Sequence, residues 1–430
     1  MMIEYHVLFV LLLVGTQALL TWLDVLNLRH GERTIRERSE WVTEHLDVED
    51  TEEMIDYNRA VTGLSNLQSW VILGVLLLVL YSGLFAAAVE AVQATGLGPL
   101  AEGVLFLVGA VVVMAVLSWP FDVVSTFVVE EIFGFNQQSP RLWARDSLIN
   151  LVVSVVLSGA IGAALLWVIL TFPTLWWVGG ALLFFGFALL MQVLYPRVIA
   201  PLFYDFDPIE EGELRDGVED VFDRAGFSCE QIYEMDASSR SSHSNAYFVG
   251  FGRTKRVVLF DTLIEQMDLA ELKSILAHEL AHWKRKHILK QLLAGTVEIA
   301  ILLAVAWWLM GTEWLYGMFG APETVYAGLI LALLWISPLN DLLGPVSNRL
   351  SLAHEREADR FAVETMGEGE SLSGALGRLA GENLMNPFPH PWYEAFHYSH
   401  PPIPDRIRYI QEYGGDGEGE DEVAEGAIGG

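Results

Sequence analysis

A single cysteine, Cys229, occurs in 430 residues. No internal disulfide can form, and the thiol is expected to be structural. Lysine is nearly as scarce, with five residues beside twenty arginines. Cations are few altogether: 25 Lys and Arg against 55 Asp and Glu leave a net charge of −30. That balance argues against nucleic acid as a partner. It suits a salt-rich cytoplasm, where screening is short and a charged surface holds water, as expected of a halophilic archaeon. The first apolar run lacks a basic leader and a small-residue cleavage site, so it reads as a retained helix rather than a signal peptide.

Apolar residues are what the chain has in abundance, at 53% of the total with a mean hydropathy of +0.37. Long apolar runs fall at about 6–26, 69–92, 104–119, 148–171, 174–195, 291–310 and 325–342. Spanning a bilayer takes about 20 such residues, so seven spans are predicted, the third completed by Trp119-Pro120-Phe121. All 25 Lys and Arg lie within 29–59, 141–145, 197–290 and 349–408, the segments after spans one, three, five and seven. The positive-inside rule then puts the N-terminus outside and the catalytic segments in the cytoplasm. The expected layout is five membrane helices with cytoplasmic loops over 1–195, a cytoplasmic segment over 196–290, spans six and seven within 291–345, and a second cytoplasmic segment over 346–413. An acidic tail expected to be disordered occupies 414–430. Glu90, Asp122, Glu298, Asn340 and Asp341 sit within or at the ends of apolar runs, and such groups normally face a cavity or a partner.

The chemistry is carried by His278-Glu279-Leu280-Ala281-His282. The run Leu272–Lys290 reads as one helix without Gly or Pro, so two histidines four apart share a face. Both can reach one Zn²⁺ while Glu279 serves as general base toward water. Arg285 and Ile288 stand where a metzincin would place Gly and His, which excludes that class. His287, nine residues from His278, is expected on the opposite helix face and not as a ligand. A third ligand is required, and Asn348–Ala362 is the credible source. There Glu355 and Asp359 share a face: one can ligate while the other accepts the free N–H of a zinc histidine. Glu357 and His354 are rival ligands that match the face of Asp359 less well.

Two further groups surround this pair of helices. Asn245–Val249 and Arg256–Phe260 read as strands joined by a Gly250–Lys255 turn, with helical periodicity over Leu214–Gly226 before them. An exposed strand beside a metal helix can hold an extended substrate, and Asn245-Ala246 suits that role because a small residue allows close approach. His397-Tyr-Ser-His400-Pro-Pro402, followed by Asp405-Arg406, offers His and Arg donors for a developing oxyanion.

With Ser244–Phe248, Arg256–Leu263, His278–Lys284, Glu355–Asp359 and His397–Pro402 in place, the chain resembles the type I CAAX prenyl endopeptidases from its first span to about Tyr409. The resemblance implies a mainly α fold, a seven-transmembrane-helix bundle enclosing a chamber, with a cytoplasmic α+β zinc-metalloprotease domain. It implies one Zn²⁺ per chain held by His278, His282 and Glu355, with Glu279 activating water and His400 and Arg406 assisting the transition state. Asp359 would stand behind a ligand, and Asn245-Ala246 would grip the substrate backbone. The implied partners are the bilayer and a peptide or prenylated-protein C-terminus, cut after the prenylated cysteine. A quality-control protease of membrane proteins is the second reading. A non-catalytic channel or scaffold is the third, although it predicts loss of Glu279 or a fourth protein ligand, and neither occurs.

Overall fold

The computed structural model describes residues 2–227, 231–249 and 256–415. Cys229, the Gly250–Lys255 turn and the tail beyond Gly415 lie outside them. Seven helices are long and apolar enough to cross a membrane: Met2–Glu37, Thr51–Tyr81, Pro99–Ile132, Pro140–Thr171, Trp176–Leu202, His287–Met310 and Val325–Met366. The third opens with Pro99 at its first turn, where a missing N–H costs nothing. Pro120 removes one donor inside it, and the helix widens to π geometry at Ser125–Val129 before closing again.

Two boundaries differ from the apolar pattern. The run 69–92 is not one helix: it ends at Tyr81, turns at Gly83 with φ +83°, and resumes as Leu84–Gln93. Glycine accepts that backbone without strain, and Phe85 and Val89 then pack into the membrane core. The seventh span does not stop near residue 342. It continues unbroken through Pro338 and Pro345 to Met366 as a single helix of 42 residues, about 63 Å long at 1.5 Å per residue. Span and presumed ligand helix are therefore one rod, so Glu355 is placed by the membrane helix itself.

Among the described residues four strands form one sheet: β1 (Phe206–Pro208), β2 (Ile232–Met235), β3 (Ala246–Val249) and β4 (Arg256–Phe260). Their order is β1-β2-β4-β3, with β2 and β4 parallel and the outer pairs antiparallel. Val257, Val258 and Leu259 are all buried, as a central strand covered on both faces requires. β3 is left at the edge of the sheet and packs against the helix Leu269–Lys284, which carries HExxH.

That helix starts three residues earlier than its apolar pattern because of a capping box. Asp268 Oδ1 accepts from Glu271 N (2.8 Å), and Glu271 Oε2 accepts from Asp268 N (3.0 Å). It also ends earlier than expected, at Lys284. Lys286 takes a left-handed conformation, φ +59°, and His287 opens the sixth span. The expected single helix Leu272–Lys290 is thus two, because the chain must turn there from the zinc-protease domain into the sixth span.

The zinc-protease domain is fastened to the segment that follows the first span. Helix Glu370–Glu382 crosses the end of helix Ser39–Leu46 so closely that a Cβ at Gly377 would lie 2.0 Å from His45 O, and one at Gly381 1.9 Å from Leu46 O. Ile35, Val42, Leu46, Met54 and Phe135 share one buried cluster with Ala380, Leu384 and Phe388.

Candidate active site

The zinc-binding face is formed where the HExxH helix crosses the long seventh helix. His278 Nε2 and His282 Nε2 are 3.2 Å apart, and Glu355 lies 3.4 Å from the first and 3.3 Å from the second. Tetrahedral zinc with bonds of about 2.0–2.1 Å needs ligand atoms about 3.3–3.4 Å apart, so the triangle fits that ion. Glu355 Oε2 is buried without a hydrogen bond of proper geometry, although His400 Nδ1 is 2.6 Å away. That oxygen keeps a lone pair for a cation. Two neutral imidazoles and one carboxylate also leave a dication open to water and substrate. These are the residues that can hold a metal among those described.

Asp359, one turn beyond Glu355, is 2.8 Å from His278 Nδ1 and almost fully buried. It can only accept, so the His278 proton sits on Nδ1 and Nε2 is turned toward the triangle. Arg406 closes the other side of this carboxylate, donating from Nη2 to Oδ1 (2.6 Å) and from Nε to Oδ2 (3.0 Å). The geometry thus ties Arg406 to His278 through Asp359. Burial and the Arg406 charge oppose protonation of His278, while its bonds to Asp359 and Glu355 favour it and raise its pKa; a metal ion on Nε2 would replace the proton that Glu355 otherwise attracts there. Burial, then the neighbouring His278, pushes His282 down to about 3, so its lone pair is available at neutral pH. Burial raises the Glu279 carboxyl from its ordinary value, the direction a general base working near neutrality needs.

A cleft of about 530 Å³ opens in front of these groups, lined by Glu279, His282, Glu355, Ser399 and His400. It continues between the sixth and seventh spans past Gln291, Glu298, Ser347 and Ser351. Glu298, singled out as an ionisable group in an apolar run, therefore faces a cavity. His400 stands at its mouth with an exposed side chain, on the segment before helix Ile403–Gly415. Asn245 and Ala246 begin the edge strand. Asn245 O accepts from Phe260 N (3.1 Å), so by alternation Ala246 turns its own N–H and C=O to the open edge. The Asn245 side chain caps that N–H at 2.8 Å.

Three features were not legible in the motifs. His287 is fully buried beside His282, because the break at Lys286 swings it back from the face assigned to it. Glu357, a rival ligand in the sequence, binds His287 instead, and His354 stacks on the same ring at 4.0 Å. The end of span three and the start of span four grip the segment leading to β3: Asp146 pairs with Arg240 at 2.8 Å and Glu130 lies 3.3 Å from His243. Charge alternation alone marks none of these pairs, which join residues about 70 to 113 apart.

Fold and site define an integral, multi-pass membrane zinc metalloendopeptidase. Residues 28–205 match the model of the CAAX prenyl protease N-terminal family, five membrane helices, and residues 208–413 match peptidase family M48. The chain is 36% identical over 318 residues to the CAAX prenyl protease 1 homolog of Oryza sativa subsp. japonica, covering 71% of this chain and 72% of the relative. It is 33% identical to CAAX prenyl protease 1 of Saccharomyces cerevisiae, covering 68% and 69%. The crystal structure of S. mikatae Ste24p superposes with a TM-score of 0.84 at 25% identity, over 94% of this chain and 98% of that one. The chain belongs to the CAAX prenyl protease 1 family.

Proposed function

We propose that this protease hydrolyses a peptide bond near the C-terminus of a prenylated protein, on the cytoplasmic face of the membrane. The observation that carries this reading is the edge strand β3 packed against the helix that carries His278, Glu279 and His282. An extended peptide added to β3 pairs with the outward N–H and C=O of Ala246 once the Asn245 side chain yields its place. His278, His282 and Glu355 would hold a zinc ion, which would supply a Lewis acid for the scissile carbonyl and lower the pKa of water. Glu279 takes a proton from the attacking water and returns it to the departing amine. Asp359, braced by Arg406, keeps His278 in the ligating tautomer. His400, at the cleft mouth, donates to the oxygen on which charge develops. The cleft runs on from these groups between spans six and seven, which suits a substrate carrying a lipid.

Mass spectrometry of products from a prenylated peptide and its unprenylated twin tests the substrate. Cleavage confined to, or much faster on, the prenylated peptide is expected; equal cleavage of both would favour the quality-control reading. Ala246→Pro removes the outward donor and adds bulk. Peptide turnover should fall at least about tenfold, the effect of about 1.4 kcal/mol of lost strand pairing, while zinc content holds. Unchanged turnover would place the substrate elsewhere.

The distribution of Lys and Arg supports an N-terminus outside and a catalytic domain inside. Glu313 is exposed between spans six and seven. In a Cys229→Ser chain, Glu313→Cys should react with an impermeant maleimide on intact cells. Reaction only after permeabilisation would overturn this orientation.

A further inference from the structure

His278 has a carboxylate behind it, and so, at one remove, does His282. His287 Nδ1 lies 3.2 Å from His282 Nδ1, and His287 Nε2 lies 2.9 Å from Glu357 Oε2. Glu357 is held in turn by Arg285, 3.4 Å from its other oxygen. The protons of this chain are fixed by elimination. A carboxylate only accepts, so His287 carries its proton on Nε2 and is left with a lone pair on Nδ1. His282 must then donate from Nδ1, which leaves its Nε2 lone pair facing His278 and Glu355. A proton placed the other way would put N–H into the metal triangle. His287 is buried completely and stacked on His354 with ring planes 10° apart, so the imidazole is locked in this pose.

We infer that His287 and Glu357 are positioning residues that fix the ligating tautomer and orientation of His282, a second brace matching Asp359 and Arg406 on His278. The two histidines of the site are thereby held from opposite sides by independent acceptors. The brace draws on both halves of the site: His287 opens the sixth span and Glu357 rides on the seventh helix, 70 residues later. Docking the two spans therefore completes the ligand set as well as the cleft. The inference rests on the reading of His282 as a zinc ligand.

Zinc affinity of the purified full chain, measured by chelator competition, tests it without recourse to activity. His287→Phe keeps the ring and the stack on His354 but has no acceptor. It should weaken zinc binding by about 10–100-fold, the range for losing a residue behind a metal ligand. His287→Asn sets an amide oxygen near the position of Nδ1 and should recover a large part of that loss although it gives up the stack. Glu357→Leu, at a partly exposed position, should weaken zinc binding in the wild-type chain yet add little to His287→Phe, because both cut one chain. Wild-type affinity in His287→Phe, Asn no better than Phe, or full additivity with Glu357→Leu would each overturn the brace. His282→Ala separates the two levels. If it leaves zinc affinity unchanged, the ligand reading itself fails; if it abolishes binding while His287→Phe does nothing, only the brace fails.

Discussion

Glu279→Gln is expected to retain zinc and fold while hydrolysis falls by at least about 10²–10⁴-fold, the usual cost of losing a general base. Gln is nearly isosteric, so the lining of the cleft is undisturbed and only the proton acceptor disappears. Burial already raises the Glu279 carboxyl, so the native group accepts a proton more readily than an exposed one would. His400→Ala should cost less, because it removes one donor from an exposed position while the rest of the site stays intact. The ordering is the sharp part of the prediction. Turnover of one peptide by both zinc-loaded variants measures it, and near wild-type cleavage by Glu279→Gln would refute the mechanism.

Glu355→Ala should empty the site. Its side chain is only 4% exposed and supplies the third corner of the triangle, with both histidines within 3.4 Å. Residues behind a metal ligand already matter by about 10–100-fold, so removing the ligand itself should weaken zinc binding by more than about 100-fold. Metal analysis after purification in dilute chelator reads this as loss of the single zinc per chain. Retained zinc with full activity would transfer the role to another residue. The structure gives that substitute little support, since Glu357 is engaged by His287 and Arg285, and His354 is stacked on His287.

The ligand face was readable in advance because it depends on helical spacing alone: His278 and His282 are one turn apart, as are Glu355 and Asp359. The seven spans were readable for a similar reason, since an apolar run of sufficient length has few alternatives in lipid. What escaped the sequence is where helices stop. Nothing local announces the turn at Arg285-Lys286; it arises because the HExxH helix and the sixth span are separate helices. Misjudging it put His287 on the wrong side of a helix that does not continue, and hid the contact with His282. The second span misled in the opposite sense, because Leu84–Gln93 is as apolar as the helix before it and only Gly83 marks the corner. Pairings such as Asp146 with Arg240 are set by tertiary contact across about 94 residues, and no periodicity carries that information.

The close crossing at Gly377 and Gly381 bears on how the molecule can be handled. A fragment beginning near residue 196 carries all the zinc-site residues together with spans six and seven, and looks like an enzyme that could be expressed without the first five spans. Its helix Glu370–Glu382 would then present bare backbone-sized notches, and Ala380, Leu384 and Phe388 would lose the partners supplied by Ile35, Val42, Leu46 and Met54. The excised piece would show water an apolar seam where the intact chain has a solid interior. It would also lose the Asp146 and Glu130 clasps on the segment that leads into β3. The catalytic portion and the segment after the first span thus share one buried core, and truncation near residue 196 is expected to give an aggregating fragment.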